Sequence, residues 1–283
     1  MICLSGESSR QETVYMIPSN KVAEESTSSS SSNTKFELYS SKDNSSKEIT
    51  PQAVQSSLIQ LLSDAFDDNS FTVTVFNANQ EKKNNRRFEA FRKCLFEIRL
   101  NLWYQHSWSI FTSNHDKHHQ HLVGHIAMQP PSKENHMSLS LWKLVKLGLP
   151  IPYHFGIGVT RRFWAIMAQI DQQQEDVKRT HGKYILEDSW TLEAFGVAQE
   201  YRGKGIGGRI LREILEKWVP PSEGVWLATQ TERNVAMYRK HKFRVLSWRR
   251  IELEDDGVGN GFDNWILWRP PVQDAAKDRQ IMG

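Results

Sequence analysis

Cysteine is almost absent: Cys3 and Cys94 are the only two among 283 residues. That count excludes a disulfide framework and a Cys-x-x-Cys metal or redox pair, and it leaves a reducing intracellular setting, cytoplasmic by default, as the expectation. Long apolar runs are missing too. A spanning helix needs about 20 consecutive apolar residues, whereas the most apolar stretch, 139–159, is broken by Lys143, Lys146, Pro150, Pro152 and His154. No membrane partner is expected. The opening residues, MICLSGESSRQETVYMIP, hold no sustained hydrophobic segment and reach Glu7 early, unlike a secretory leader. Nor is there a charge excess of one sign: 36 basic against 33 acidic residues leaves +3, too little for a phosphate-reading surface. Nucleic acid is therefore not the expected partner.

What is present is a core-forming composition, 39% hydrophobic and 11% aromatic, placed unevenly along the chain. Residues 1–50 are rich in Ser, Thr, Asn, Lys and Glu, with serines from Ser26 to Ser32 interrupted only by Thr27, and they offer too little apolar surface to offset ordering entropy. A disordered tail is expected there, and another short tail over 273–283. The remainder, 51–272, reads as one domain with a helical insertion at about 139–180.

Val54, Leu58, Leu61, Leu62, Ala65 and Phe66 recur at helical spacing, and Phe71–Phe76 (FTVTVF) alternates as a short strand would. Phe88, Phe91, Leu95, Ile98 and Leu102 mark a second helix, and 108–112 and 121–128 two strands. His115, His118, His119 and His121 fall in or beside the connection between those strands. A short polar hairpin rarely supplies a closed metal site, so a solvated loop and no metal are expected. Within the insertion, Leu141, Leu144, Val145 and Leu147 form one apolar face and Phe163, Ile166, Met167 and Ile170 another.

Chemistry becomes legible after Tyr184. The segment Ser189–Val197 (SWTLEAFGV) reads as a strand, followed by a glycine cluster that opens into a helix carrying Ile210, Leu211, Ile214, Leu215 and Trp218 on one stripe and ending at Pro220 and Pro221. Gly203, Gly205, Gly207 and Gly208 thus sit at a helix N-terminus, where unpaired amides and the helix dipole attract anions and missing Cβ atoms admit a phosphate. Arg202, Lys204 and Arg209 add charge. A tight-packing turn is the plainer alternative.

Three glycine patterns compete for this place. A Walker loop fails because Lys204 is followed by Gly205 rather than Ser or Thr. Gly203-x-Gly205-x-x-Gly208 spells a dinucleotide fingerprint, but the next strand, Val225–Thr229, leads into Gln230 and Thr231 instead of an acidic ribose ligand. The third is Arg202-x-x-Gly205-x-Gly207 after a strand ending at Val197. With TLEAFGV before it and VWLAT and ERNVAMYRKHKF after it, in that order, the chain resembles the GNAT superfamily of N-acetyltransferases. The resemblance covers about 121–269, and it departs from the family pattern at Lys242, where a glycine usually precedes the phenylalanine, here Phe243.

The resemblance implies an α/β fold, strictly α+β: a mixed, mostly antiparallel twisted sheet flanked by helices and splayed where 190–197 leaves 225–229. It implies acetyl-CoA as acetyl donor, its pyrophosphate on the backbone of Arg202, Gly203, Lys204, Gly205, Ile206 and Gly207, with Gly208 completing the cluster. The pantetheine arm would run along the strand edge at Phe195, Gly196 and Val197, whose free amides can pair with it and polarise the thioester carbonyl. Asn234 and Tyr238, four apart on one helix, share a face. In the family the phenol equivalent to Tyr238 lies near the sulfur and protonates the departing thiolate. A tyrosine bonded to a backbone carbonyl is the structural alternative.

The base for the incoming amine is read from the strand: Glu193, alternating onto one face with Phe195 and Val197. Asp188 and His181 are weaker candidates. No cysteine lies in the motif region, so direct attack by a primary amine in a ternary complex is expected over an acyl-cysteine route. The acceptor, a small molecule or a protein amine, and the oligomeric state are not specified by the sequence. A non-catalytic acyl-CoA sensor and, more remotely, a nicotinamide oxidoreductase are the competing functions.

Overall fold

The computed structural model describes residues 14–16, 36–39, 51–67, 69–76, 86–103, 107–112, 121–131, 150–253 and 261–272. Elements are numbered among these. Eight strands form one sheet in the order β1-β2-β3-β4-β5-β6-β8-β7: β1 Val14–Met16, β2 Phe36–Tyr39, β3 Ser107–Thr112, β4 His121–Gln129, β5 Ser189–Val197, β6 Gly224–Thr229, β7 Arg244–Ile251 and β8 Phe262–Arg269. Only β1–β3 and β5–β6 are parallel, so the sheet is mixed and mostly antiparallel, as expected. The Ser-rich segment contributes β1 and β2, two short islands of strand-forming residues; its other residues, the histidines before β4, the face 141–147 and residues 273–283 lie outside the described part.

Helices cover both faces. On one lie α1 (Pro51–Ala65), whose Leu58, Leu61 and Leu62 pack with Ala127 and Ala194 of the sheet, and α3 (Arg86–Trp103), which adds Phe96. On the other, α7 (Ile206–Lys217) buries Ile210, Leu211, Ile214 and Leu215 against Val123, Ile126, Met128 and Leu192. Burying each such side chain is worth roughly 1.5–3 kcal/mol, which makes this stripe the anchor of the helix. Trp218, expected on the stripe, instead follows the helix and is 41% exposed.

Phe71–Phe76 is not a strand. It is α2 (Ser70–Phe76), because Asn69 caps it: the Asn69 Oδ1 accepts the Thr72 N–H at 3.2 Å and Thr72 Oγ1 donates to the Asn69 carbonyl at 2.9 Å. Phe71 and Val75 then share a helical face against Phe88 and Phe91. A strand would have turned Phe71, Val73 and Val75 to one side, whereas the capped helix buries Phe71, Thr72, Thr74 and Val75.

The region expected as an insertion holds α4 (Pro150–Phe155) and α5 (Ile157–His181), and α6 (Tyr184–Glu187) follows it. The expected face of α5 is present, with Ile166 buried and Phe163, Met167 and Ile170 packed against the same cluster. Gln173 of α5 is fully buried and donates to Ser247 Oγ of β7 and to the Asn264 carbonyl of β8, both at 3.1 Å. This helix is part of the core over β7 and β8.

His125 on β4 is fully buried, and burial pushes its pKa down to about 4. The unfolded chain therefore binds a proton at this position that the folded chain refuses. The stability this supports is complete above pH 6.5 and is lost as pH falls toward 4, by on the order of 3 kcal/mol. Melting curves between pH 7.5 and 4 should show that decline, and His125→Gln should flatten it. Cys94 is half-buried and its thiol is pushed up to about 11, chiefly by burial.

Candidate functional site

Strands β5 and β6 pair only at Ser189–Gly224, Trp190–Val225 and Thr191–Trp226. Beyond that they separate, and a cleft of about 570 Å³ opens between them. Its walls are the outer half of β5, the start of α7, the end of β6 and α8 (Glu232–Lys240). The expected splay is therefore present, at the expected place.

The β5 wall has a defined polarity. Ala198 N–H donates to the Val123 carbonyl at 2.8 Å, and the register runs Val197–Gly124, Gly196–His125, Phe195–Ile126. Antiparallel pairs alternate, so Gly196 turns its backbone toward β4 while Phe195 and Val197 turn theirs toward the cleft. Among the described residues no strand pairs with that edge past Thr191. The register shifts between Ala127 and Met128, which leaves Glu193 as the extra residue of a β-bulge. The bulge interrupts the simple alternation that would have placed Glu193 with Phe195 and Val197, and it sits where the strands part. Glu193 is half-buried and lines the cleft.

The glycine loop is shaped for close approach. Gly203 and Gly205 have φ of 77° and 74°, and a Cβ on either would meet no atom within 4 Å. Gly205 is the N-cap of α7 and no side chain caps the helix; its first closing bond is Arg209 N–H to the Gly205 carbonyl at 3.2 Å. The amides of Ile206, Gly207 and Gly208 thus precede any intrahelical acceptor and point out of the helix end. An open backbone cradle, positive by dipole, fits a pyrophosphate.

Two of the charged side chains have partners within the protein. Arg202 Nε donates to the Val197 carbonyl at 2.9 Å and Nη2 to the Asp64 carbonyl at 3.2 Å, which ties β5 to α1. Lys204 lies over the Tyr201 ring at 5.7 Å and is not among the described lining residues. Every other residue expected to bind or react, from Glu193 and Phe195 through Gly208 to Asn234 and Tyr238, lines this one cleft. Asp188 and His181 do not: Asp188 precedes β5, and the His181 ring contacts the Leu246 carbonyl at 3.3 Å.

Helix α8 presents the other wall. Thr231 caps it by accepting the Asn234 N–H at 3.3 Å, and Asn234 Nδ2 donates to Thr229 Oγ1 at 3.2 Å. Tyr238 is 6% exposed, and burial raises its phenol pKa well above the ordinary value. Its ring meets Phe243 edge-on at 5.5 Å. The turn after α8 forms although glycine is missing: Phe243 N–H donates to the Tyr238 carbonyl at 3.2 Å and Lys242 N–H to the Arg239 carbonyl at 3.0 Å, a Schellman pair with Lys242 at φ 69°. A lysine there carries a left-handed penalty of about 1–2 kcal/mol, part of which glycine gives back as unfolded-state entropy. Lys242→Gly should therefore stabilise the protein by about 1 kcal/mol, a midpoint rise of roughly 2–4 °C by calorimetry. An unchanged or lower midpoint would show that the lysine side chain compensates.

Residues 161–245, which span α5 to the start of β7, match the profile of the acetyltransferase (GNAT) domain family. Over those residues the chain matches a GNAT domain. Curated proteins give no match. Among solved structures, this chain is similar to one from Corynebacterium glutamicum described as "histone acetyltransferase HPA2 and related acetyltransferase", at 17% identity over 78% of this chain and 93% of that one, TM-score 0.47. It is also similar to arylalkylamine N-acetyltransferase 2 of Aedes aegypti (11% identity, 84% and 99% covered, TM-score 0.48) and to a Drosophila melanogaster polyamine N-acetyltransferase (10%, 76% and 93%, TM-score 0.45).

The dinucleotide alternative lacks its acidic residue. The unit β5–α7–β6 does set the glycines between parallel strands, but Gln230 stands where an acidic ribose ligand would be needed. No group of three His, Cys, Asp or Glu able to hold a metal occurs among the described residues, and none of the described helices is long and apolar enough to cross a membrane. Sequence reasoning missed Phe66, Asn69, Gln230 and Arg233 as lining residues. For Asn69 the signal existed, an Asn immediately before an apolar run; for Phe66, Gln230 and Arg233, position at the end of a helical face, after a strand or beside Asn234 is all the sequence offers.

Proposed function

We propose that the protein is an N-acetyltransferase that moves the acetyl group of acetyl-CoA to a primary amine by direct attack in a ternary complex. One observation carries this reading: the bare amide cradle at Gly203–Gly208, the cleft-facing backbone of Phe195 and Val197, and Tyr238 all open into a single cavity. The cradle would hold the pyrophosphate, and the β5 edge would pair with the pantetheine amides as with another strand. An N–H of Phe195 or Val197 would stabilise the developing oxyanion. The amine attacks the thioester carbonyl, the C–S bond breaks, and the thiolate takes a proton from Tyr238, while Glu193, directly or through water, accepts the proton the amine loses. The proton balance closes through solvent.

Thermal unfolding with acetyl-CoA, CoA and NADH in parallel tests the ligand. At 100 times Kd a ligand adds about 2.7 kcal/mol, a midpoint rise of roughly 5 to 10 °C for a domain of this size. The expected result is a rise with acetyl-CoA and CoA and none with NADH, followed by thiol release when an amine panel is added. Binding without release on any amine would favour an acyl-CoA sensor, and a rise with NADH alone would overturn the reading.

A further inference from the structure

A chain of side-chain amides runs from the cleft into the core. Its upper end is the Thr72 N–H, which donates to Asn69 Oδ1 at 3.2 Å; Asn69 Nδ2 donates to Gln230 Oε1 at 3.1 Å. Gln230 Nε2 donates to Asn264 Oδ1 at 3.0 Å, and Asn264 Nδ2 to Gln173 Oε1 at 2.8 Å. At the lower end Gln173 Nε2 spends both hydrogens, on the Asn264 carbonyl and on Ser247 Oγ, each at 3.1 Å. Asn264 and Gln173 are fully buried, whereas Asn69 and Gln230 are half-buried and line the cleft.

The two ends fix the direction of everything between. A side-chain amide can ordinarily turn over and exchange its oxygen and nitrogen. Here a backbone N–H, which only donates, begins the chain, and a backbone carbonyl, which only accepts, ends it. Turning any one amide over would set donor against donor or acceptor against acceptor, and the unmade bond is most costly at Gln173 and Asn264, which are fully buried and orient the two amides above them. The polarity of Asn69 and Gln230 is therefore built in. By valence each keeps one N–H and one oxygen lone pair beyond these bonds. The pair also spans the open end of the β5–β6 gap, joining the turn after α1 to the end of β6.

Resting on the acetyl-transfer reading, we infer that Asn69 and Gln230 are an acceptor-reading pair, built for an amine whose neighbouring group both donates and accepts hydrogen bonds, such as a carboxamide or a peptide bond. Gln173 and Asn264 are the positioning residues beneath it. The pair is uncharged, so a second ammonium or a carboxylate on the acceptor gains no counter-charge from it, and an alkyl group would leave its remaining donors and acceptors unpaired.

The test uses bisubstrate analogues in which the acetyl carbon of S-acetyl-CoA is joined to the amine of glycinamide, ethylenediamine, glycine or isobutylamine, four neighbours of similar size. Binding is measured by calorimetry beside acetyl-CoA itself, so no turnover is needed. The glycinamide analogue should bind about three- to tenfold tighter than the other three, the worth of one or two neutral hydrogen bonds. Gln230→Leu should erase that preference, Gln230→Glu should shift it to the ethylenediamine analogue, and both should leave acetyl-CoA affinity in place. Gln173→Leu should shrink the preference through Asn264; because that variant also loosens the core, the two Gln230 variants decide. Equal binding of all four analogues, or loss of acetyl-CoA affinity in parallel with the preference, overturns the inference while the acetyl-transfer reading stands. Failure of acetyl-CoA to bind the parent protein overturns both.

Discussion

Replacing Tyr238 by phenylalanine is expected to lower kcat by about 10²-fold or more while acetyl-CoA affinity stays within about twofold. The substitution keeps the ring that packs on Phe243 at 5.5 Å and the backbone carbonyl that accepts from Phe243, and it removes only the hydroxyl. Burial holds that phenol protonated well past its ordinary range, so it is in its acid form at every assay pH. The alkaline limb of the rate profile should accordingly not be set by Tyr238. An unchanged kcat would mean that water protonates the thiolate, whereas a large fall in melting temperature with kcat intact would make the hydroxyl structural.

The second large effect is expected at Gly205. Valine at φ 74° places a β-branched residue in the left-handed region and projects methyl groups into the space above the cradle, which is open to at least 4 Å. The backbone penalty is about 1–2 kcal/mol, and acetyl-CoA affinity should fall by more than about tenfold as the anion is held off the amides. Gly207→Ala is the control. Its Cβ would meet Phe195 and Val197 at 3.5 Å, an ordinary contact, and its φ is not positive, so it should cost little in either measurement. Equal affinity of the Gly205→Val protein and the parent would remove the cradle from the binding site.

The parts of the site that share one local element were legible in the sequence. The glycines, the stripe of α7 and the Asn234–Tyr238 face each depend on spacing within a single helix or turn, and their periodicity survives into the fold. What depended on two elements meeting was not. Asn69 and Gln230 are 161 residues apart and become a pair only when α2 starts where its cap puts it and β6 ends at the cleft. The bulge at Glu193 is a property of how β5 pairs with β4, so a strand read alone shows unbroken alternation. The charge of Lys204 is visible in the sequence, whereas its place over the Tyr201 ring is not. Lys242 carries a further lesson, since hydrogen bonds and the Tyr238–Phe243 contact hold a turn that its own residue disfavours.

Strand β8 lies between β6 and β7, although both precede it in the chain. A polypeptide still being synthesised that has released β7 carries two strand edges with an empty lane between them, and the floor under α5 is incomplete. Closure waits for Phe262–Arg269 to leave the ribosome tunnel, so this half of the sheet forms after translation of the whole domain and not alongside it. Until then the apolar faces of Leu227, Ile251 and Val245 lack their final packing, and surface of that kind makes a partly folded chain prone to aggregate.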